Sequence, residues 1–383
     1  MKSDKTTPNV PTLRFAEFTD EWEKYELSHF VTRITRRNKN NKSSLPLTIS
    51  AQYGLVDQIS FFNKTVASVD LSGYYLLYNG DFAYNKSYSN DYAWGAVKRL
   101  DKYEKGCLSS LYFVFRPNDN VDSDYLTHYF ESSKWHKGIS NIAGEGARNH
   151  GLLNMSVDDY FATKHCLPSL PEQKKIARFF NAITRRIEIQ NKIISKYQTL
   201  IKGLCDMIFS SIEGNILPLK AIVSIEKGQQ INGMSLAKTG KYYYLNGGIA
   251  PSGYIDDYNT SEETISISEG GNSCGFVSYN LQKFWSGGHC YTLKIMAEQC
   301  RSKYLFFYLK YKEKDIMQLR VGSGLPNIQK KSLENFNVKL PNYKKQCFVE
   351  RIFEVVTAKK EIENALLERF QSQKKFLLSK MFI

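Results

Sequence analysis

The sequence predicts an α+β protein built from one unit used twice. Two globular halves are each followed by a long helix, and the two helices pair as an antiparallel coiled coil with approximate two-fold symmetry. Three observations carry this. Two stretches hold apolar residues at coiled-coil spacing over most of their length. Similar short words recur in the same order about 175 residues apart. The remaining sequence falls into short runs of β-branched and aromatic residues broken by glycine turns. The predicted boundaries are 1–170 for the first globular half, 171–212 for the first helix, 213–340 for the second half and 341–383 for the second helix.

Composition narrows the function. The chain has 383 residues, with 52 Lys+Arg against 38 Asp+Glu, a net charge of +14. Hydrophobic residues make up 42%, enough for more than one core, which excludes wholesale disorder. The positive excess favours an anionic partner, nucleic acid or an acidic membrane. No apolar run approaches the ~18 residues of a spanning helix. Asp4, Glu17, Asp20, Glu21 and Glu23 fall where a secretory signal would need an apolar stretch, so none is expected. The seven cysteines are scattered, and none forms a C-x-x-C pair. They are expected as reduced thiols in a cytoplasmic protein, without disulfide or metal.

Each element has its own signal. In the first half, Tyr74–Tyr78 and Leu111–Phe115 read as strands, and Asn79-Gly80-Asp81 as a turn. The first helix follows Leu170-Pro171-Glu172-Gln173, with proline and an acidic residue in the opening turn. Its seam is Ile176, Phe180, Ile183, Ile187, Gln190, Ile194, Tyr197, Ile201, Leu204 and Ile208. In the second half, Thr264–Ile267 reads as strand and Asn246-Gly247-Gly248 as turn. The second helix follows Leu340-Pro341, with a stripe of Phe348, Ile352, Val355, Ile362, Leu366, Phe370, Leu377 and Met381. Both helices are too long and one-sided to stand alone in water, so their stripes are expected to bury each other.

The correspondences support duplication. Lys202–Phe209 parallels Lys375–Phe382 at the helix ends. Tyr125–Phe130 matches Tyr304–Leu309, Gly144-Glu145-Gly146 matches Gly322-Ser323-Gly324, and Ser156–Tyr160 matches Ser332–Phe336. The second helix entry, Asn342-Tyr343-Lys344-Lys345-Gln346, lacks the Glu-Gln of the first.

This organisation resembles the specificity (S) subunit of type I restriction–modification systems. The residues that carry the likeness are Pro11–Phe15 with Phe18 and Asp20-Glu21-Trp22, Leu167–Ala177 at the first helix entry, Lys202-Gly203-Leu204, and Gly324–Ile328. The likeness spans the whole chain. It implies two target-recognition domains, each reading half of an interrupted, asymmetric double-stranded DNA site, and two conserved helices that act as a spacer. It also implies no chemistry and no cofactor in this chain. S-adenosylmethionine, ATP and magnesium would belong to partners: two adenine methyltransferase subunits, which two motor-nuclease subunits can join. No membrane partner is implied.

Elementary physics agrees with a spacer. A helix of about 37 residues spans roughly 55 Å, long enough to hold two heads on half-sites one duplex turn apart. Residues 172–210 carry eight basic and three acidic residues, a net of +5, which a solvated helix face explains as well as phosphate contact does. Loop residues are better candidates for DNA contact: Asn85, Lys86, Tyr88, Ser89, Arg148 and Asn149 in the first half, and Asn246, Gly247, Asn272, Ser273 and Asn327 in the second. Amides and cations pair with base edges, while hydroxyls and cations hold phosphates. Enzyme motifs fail. Gly271–Gly275 matches G-x-S-x-G, but the strand-like Phe276–Tyr279 follows where the motif needs a helix. Gly240-Lys241 lacks the Ser or Thr and the glycine spacing of a phosphate loop. His289-Cys290 lacks a second ligand pair. No catalytic or metal-binding residue is therefore expected.

Overall fold

The computed structural model describes residues 9–89, 92–143, 151–233 and 236–383. They divide into two compact units: Met1–Gln190 with Leu366–Ile383, and Asn191–Ala365. Each long helix, Leu170–Ser211 and Tyr343–Met381, gives part of its length to each unit.

Both units have the same central sheet. In the first, the order is Val31–Arg33, Phe113–Pro117, Phe82–Asn85, Ala96–Arg99; in the second, it is Val223–Lys227, Cys290–Ile295, Thr264–Ser268, Val277–Asn280. In chain order this is first, fourth, second, third both times, and all pairs are antiparallel. Each head also closes on itself. The strand entering it pairs with the strand leaving it, Glu23–Glu26 with Lys164–Leu167 and Asn215–Pro218 with Asn337–Leu340.

Strand alternation sets the cores. Phe82 and Tyr84 turn to one cluster with Phe115, Tyr129 and Tyr160, while Ala83 and Val114 turn to a second with Leu77. The first sheet is thus apolar on both faces. In the second unit, Ile265 and Ile267 enter the core, whereas Ser266 on the opposite face accepts a hydrogen bond from Asn280 Nδ2 (2.9 Å).

A phenylalanine near the end of a long helix closes each core. Phe382 packs on Tyr125, Tyr129 and Phe180 at 5.4, 5.9 and 5.6 Å between centroids. Phe209 packs on Tyr304, Tyr308 and Phe353 at 6.2, 5.5 and 5.6 Å. The helix parts run antiparallel within each unit. In the first, Phe180 meets Phe382 and the Arg186 guanidinium lies 4.4 Å from the Phe370 ring centre. In the second, Phe209 meets Phe353 and Glu213 pairs with Lys345 at 3.3 Å.

A glutamine ties each helix entry to its head. Gln173 Nε2 donates to the Pro168 carbonyl and its Oε1 accepts from the Asp122 amide (2.9 and 2.8 Å). Gln346 repeats both bonds, to Pro341 and from Arg301 (2.8 and 2.9 Å). The second entry therefore keeps the glutamine; what changes is the residue before it. Glu172 forms a bidentate pair with Arg14 (2.7 Å), and Lys345 takes the reversed sign opposite Glu213.

The expected repeat register needs a shift. Leu27 N bonds to Thr163 O, and Leu219 N to Phe336 O. Phe336 therefore corresponds to Thr163 rather than Tyr160, a slip of three residues and nearly one helical turn. Leu333, fully buried, takes the place of Tyr160. Gly144-Glu145-Gly146 lies outside the described residues.

The expected seam differs between the helices. On the first, Ile176, Phe180 and Ile194 are buried, and Ile183, Ile187, Tyr197, Ile201, Leu204 and Ile208 are half-buried. On the second, Met381 is buried and Ile352, Leu366, Phe370 and Leu377 are half-buried, but Val355 and Ile362 face outward, 51% and 60% exposed. The inward face runs instead through Gln346, Val349, Phe353 and Leu378. Residues seven apart share a helix face, so Phe348, Val355 and Ile362 form a true stripe on the outer side. Apolar letters alone do not say which of two stripes packs inside.

Candidate nucleic-acid interface

In the first head, the strand Phe82–Asn85 delivers Asn85 and Lys86 to one edge of the sheet. Asn85 Oδ1 accepts from Ser87 N (2.9 Å), turning the chain out of the strand. The departing chain is then stitched to a second loop. Lys86 O accepts from Leu153 N and Gly151 O from Tyr88 N (3.0 and 3.1 Å). Ser89 and Tyr92 exchange two backbone bonds beyond it. Gly95, at φ +76°, passes so close that a Cβ there would stand 2.1 Å from Asn85 O, so only glycine fits. The Lys86 ammonium lies 4.7 Å from the Phe113 ring centre, and partial burial lowers its pKa. Among the described residues it has no ion-pair partner. Arg148 and Asn149 lie outside the described residues.

In the second head, the five expected residues come together. Ser273 Oγ donates to Gly247 O (2.7 Å), and Asn246 Oδ1 accepts from His289 N (3.1 Å). Gly270 pairs with Asn327, and Asn272 and Asn327 are exposed. Gly247 sits at φ +77°, where a Cβ would meet His289 O at 2.4 Å. Ser273 lies between the strands Thr264–Ser268 and Val277–Asn280, with no helix following as a nucleophile elbow requires.

Sequence reasoning missed three residues at this edge. Glu269 is 8% exposed. Its Oε1 accepts from Lys227 Nζ (2.6 Å) and from the Tyr291 hydroxyl (3.1 Å), and its Oε2 lies 3.5 Å from His289 Nδ1. Three neighbouring strands bring these groups together, with Lys227 opposite Tyr291 and Ile267 opposite Tyr291 in register. The only local sign is a glycine pair beside two of them, Gly270-Gly271 after Glu269 and Gly287-Gly288 before His289.

Glu269 stands where the first head has Lys86. Both follow the strand paired to the fourth sheet strand, and both accept from a loop amide, Ile328 N and Leu153 N. The ring below each corresponds too, Tyr291 and Phe113. The two edges thus have one backbone plan and opposite central charges.

Burial raises the pKa of six cysteine thiols, Cys107, Cys166, Cys205, Cys274, Cys290 and Cys300. All seven are free, and burial pushes Cys205 and Cys290 up to about 11 and Cys300 up to about 12.

Comparison with known proteins bears on this arrangement. Residues 215–371 match the family model described as type I restriction modification DNA specificity domain. A putative type I specificity subunit of Mycoplasma pneumoniae is 33% identical over 123 residues, so the match spans about a third of that relative's length: 32% of each chain. A putative type I restriction enzyme specificity subunit of Methanocaldococcus jannaschii is 22% identical over 413 aligned positions, covering 97% of this chain and 95% of that one. The crystal structure of a type I restriction–modification S subunit from M. genitalium has the same fold, with TM-score 0.66, 18% identity and coverage of 98% and 99%.

Proposed function

We infer that this chain, a member of the type I restriction–modification specificity-subunit family, reads an interrupted DNA site with two unlike heads. Each head would take one half-site through the loops at one edge of its sheet. The observation that carries this is the shared sheet order bearing edges of opposite central charge. A common scaffold supports a common mode of docking, and unlike edges support unlike half-sites.

The chain would do no chemistry. Its role would be to bring adenine methyltransferase subunits, and motor-nuclease subunits where the system has them, to the site. The outward stripe Phe348, Val355 and Ile362 is bordered by Lys344, Lys345, Arg351 and Lys359, all exposed. It suits an amphipathic helix with acidic flanks, which we assign to a methyltransferase subunit. Replacing Val355 and Ile362 together by Asp should change folding stability by no more than about 0.5 kcal/mol each. It should abolish co-purification with the methyltransferase; unchanged co-purification would remove the stripe from the interface.

Methylome sequencing of a host with and without this gene tests the function. The gene should be needed for adenine methylation at one interrupted motif. An unchanged pattern, with the methyltransferase expressed, would overturn the reading.

A further inference from the structure

We propose that Glu269 is a specificity-determining residue of the second head, whose second carboxylate oxygen accepts a hydrogen bond from the exocyclic amino group of an adenine or cytosine in the major groove. This rests on the DNA-reading function proposed above. Glu269 is 8% exposed, and its two oxygens stand in different surroundings. Oε1 accepts from Lys227 Nζ (2.6 Å) and from the Tyr291 hydroxyl (3.1 Å). Oε2 has no hydrogen-bond donor among the described residues. His289 Nδ1 borders it at 3.5 Å, longer than an ordinary N–H···O bond. The main chain fixes the residue from both sides: Glu269 N donates to His289 O (2.9 Å), and Ile328 N donates to Glu269 O (2.8 Å).

A buried acceptor without a donor costs free energy, so the ligand that suits this place brings an N–H. A phosphate brings none. In the major groove the adenine N6 and cytosine N4 amino groups do, and a carboxylate can accept from them. Lys227 balances the charge of Glu269, so the pair adds no net repulsion toward the duplex. The His289 side chain is 64% exposed, and the base amino group would take the place of Nδ1 as that ring turns outward. Gly270 and Gly271 have no side chains to wall off the approach, and Gly271, at φ +75°, has open space beside it. Asn272 and Asn327, both exposed, flank the same loops.

The first head supports the same reading. At the matching position Lys86 offers only donors, the polarity that suits guanine O6 and N7. One backbone position thus carries an acceptor in one head and a donor in the other. The two heads would select bases of opposite hydrogen-bond polarity there.

The test uses the orientation that Lys227 and Tyr291 impose. In Glu269→Gln the amide oxygen must face these two donors, so the amide NH2 takes the place of Oε2 and an acceptor becomes a donor. The probe is a labelled duplex carrying the motif that methylome sequencing gives for the unmodified chain. Each of its adenines and cytosines, the methylated adenines excepted, is replaced in turn by purine or 2-pyrimidinone, which lack only the amino group. Binding is read by fluorescence anisotropy on the full chain in complex with the methyltransferase subunit. Weakening of the duplex itself is common to all variants and cancels in the ratio. At one position the replacement should weaken binding by the unmodified chain about tenfold more than binding by Glu269→Gln. His289→Ala, which uncovers Oε2, should keep the whole effect. Equal losses for the unmodified chain and Glu269→Gln at every position would overturn the proposal, as would loss of the effect in His289→Ala. Absence of DNA binding by the unmodified complex would instead overturn the function on which it rests.

Discussion

The two heads differ most where they are expected to meet DNA and least where they meet the long helices. At the helix side, Gln173 and Gln346 make the same two bonds, and Phe382 and Phe209 pack on matching aromatic trios. At the outer edge, Lys86 over Phe113 in one head becomes Glu269 on Tyr291 in the other. Even the capping of the equivalent helices has diverged. Asp122 caps Ser123–Glu131 with its own side chain, while Ser302–Tyr311 takes its cap from Glu350 of the long helix, which accepts from Tyr304 N (3.0 Å). Constraint therefore sits in the scaffold that aims the edge, and variation sits in the edge itself.

The likeness at the helix side can be broken most severely at the closing phenylalanines. Phe209→Ala and Phe382→Ala should each cost about 3–5 kcal/mol, because each empties the centre of an aromatic cluster. Denaturant unfolding should show nearly equal losses. A cost confined to one of them would mean that the two cores are closed in different ways.

A smaller effect sharpens the difference between the heads. His165 is buried between the Tyr129 hydroxyl (2.7 Å) and Thr163 Oγ1 (2.8 Å), with Phe30 edge-on, and burial lowers its pKa to about 4. Register places Val338 at this position in the second head. The unfolded chain binds a proton near the ordinary value of 6.5 while the folded chain resists until about 4. Stability from this group is therefore full above pH 6.5 and falls as pH drops toward 4, by roughly 3 kcal/mol. His165→Val should remove that acid-sensitive component from the first unit and leave the second unit's acid response unchanged. Equal acid sensitivity before and after the substitution would contradict the assignment.

Much of the scaffold was legible because duplication writes it twice. The shared helix endings set Phe209 and Phe382 at equivalent positions, but the expected seams ran through their neighbours Ile208 and Met381, and only the folded cores show the phenylalanines as the closing residues. The first seam followed from spacing, since one apolar stripe ran the whole helix. The second did not, because two stripes compete there and the outward one has the stricter period of seven. Its inward face also uses Gln346, which hydropathy does not count as core. The edge was legible only as loops rich in glycine and amides. Glu269, Lys227 and His289 stand at the ends of three different strands or one residue beyond them, and only sheet order reveals that they meet.

The central claim is that each head reads its own half-site. Its most direct test replaces residues 213–340 with the corresponding segment of a relative that reads a different site, followed by methylome sequencing with the methyltransferase present. One half of the methylated motif should change and the other half should stay. A change in both halves, or in neither, would contradict the account.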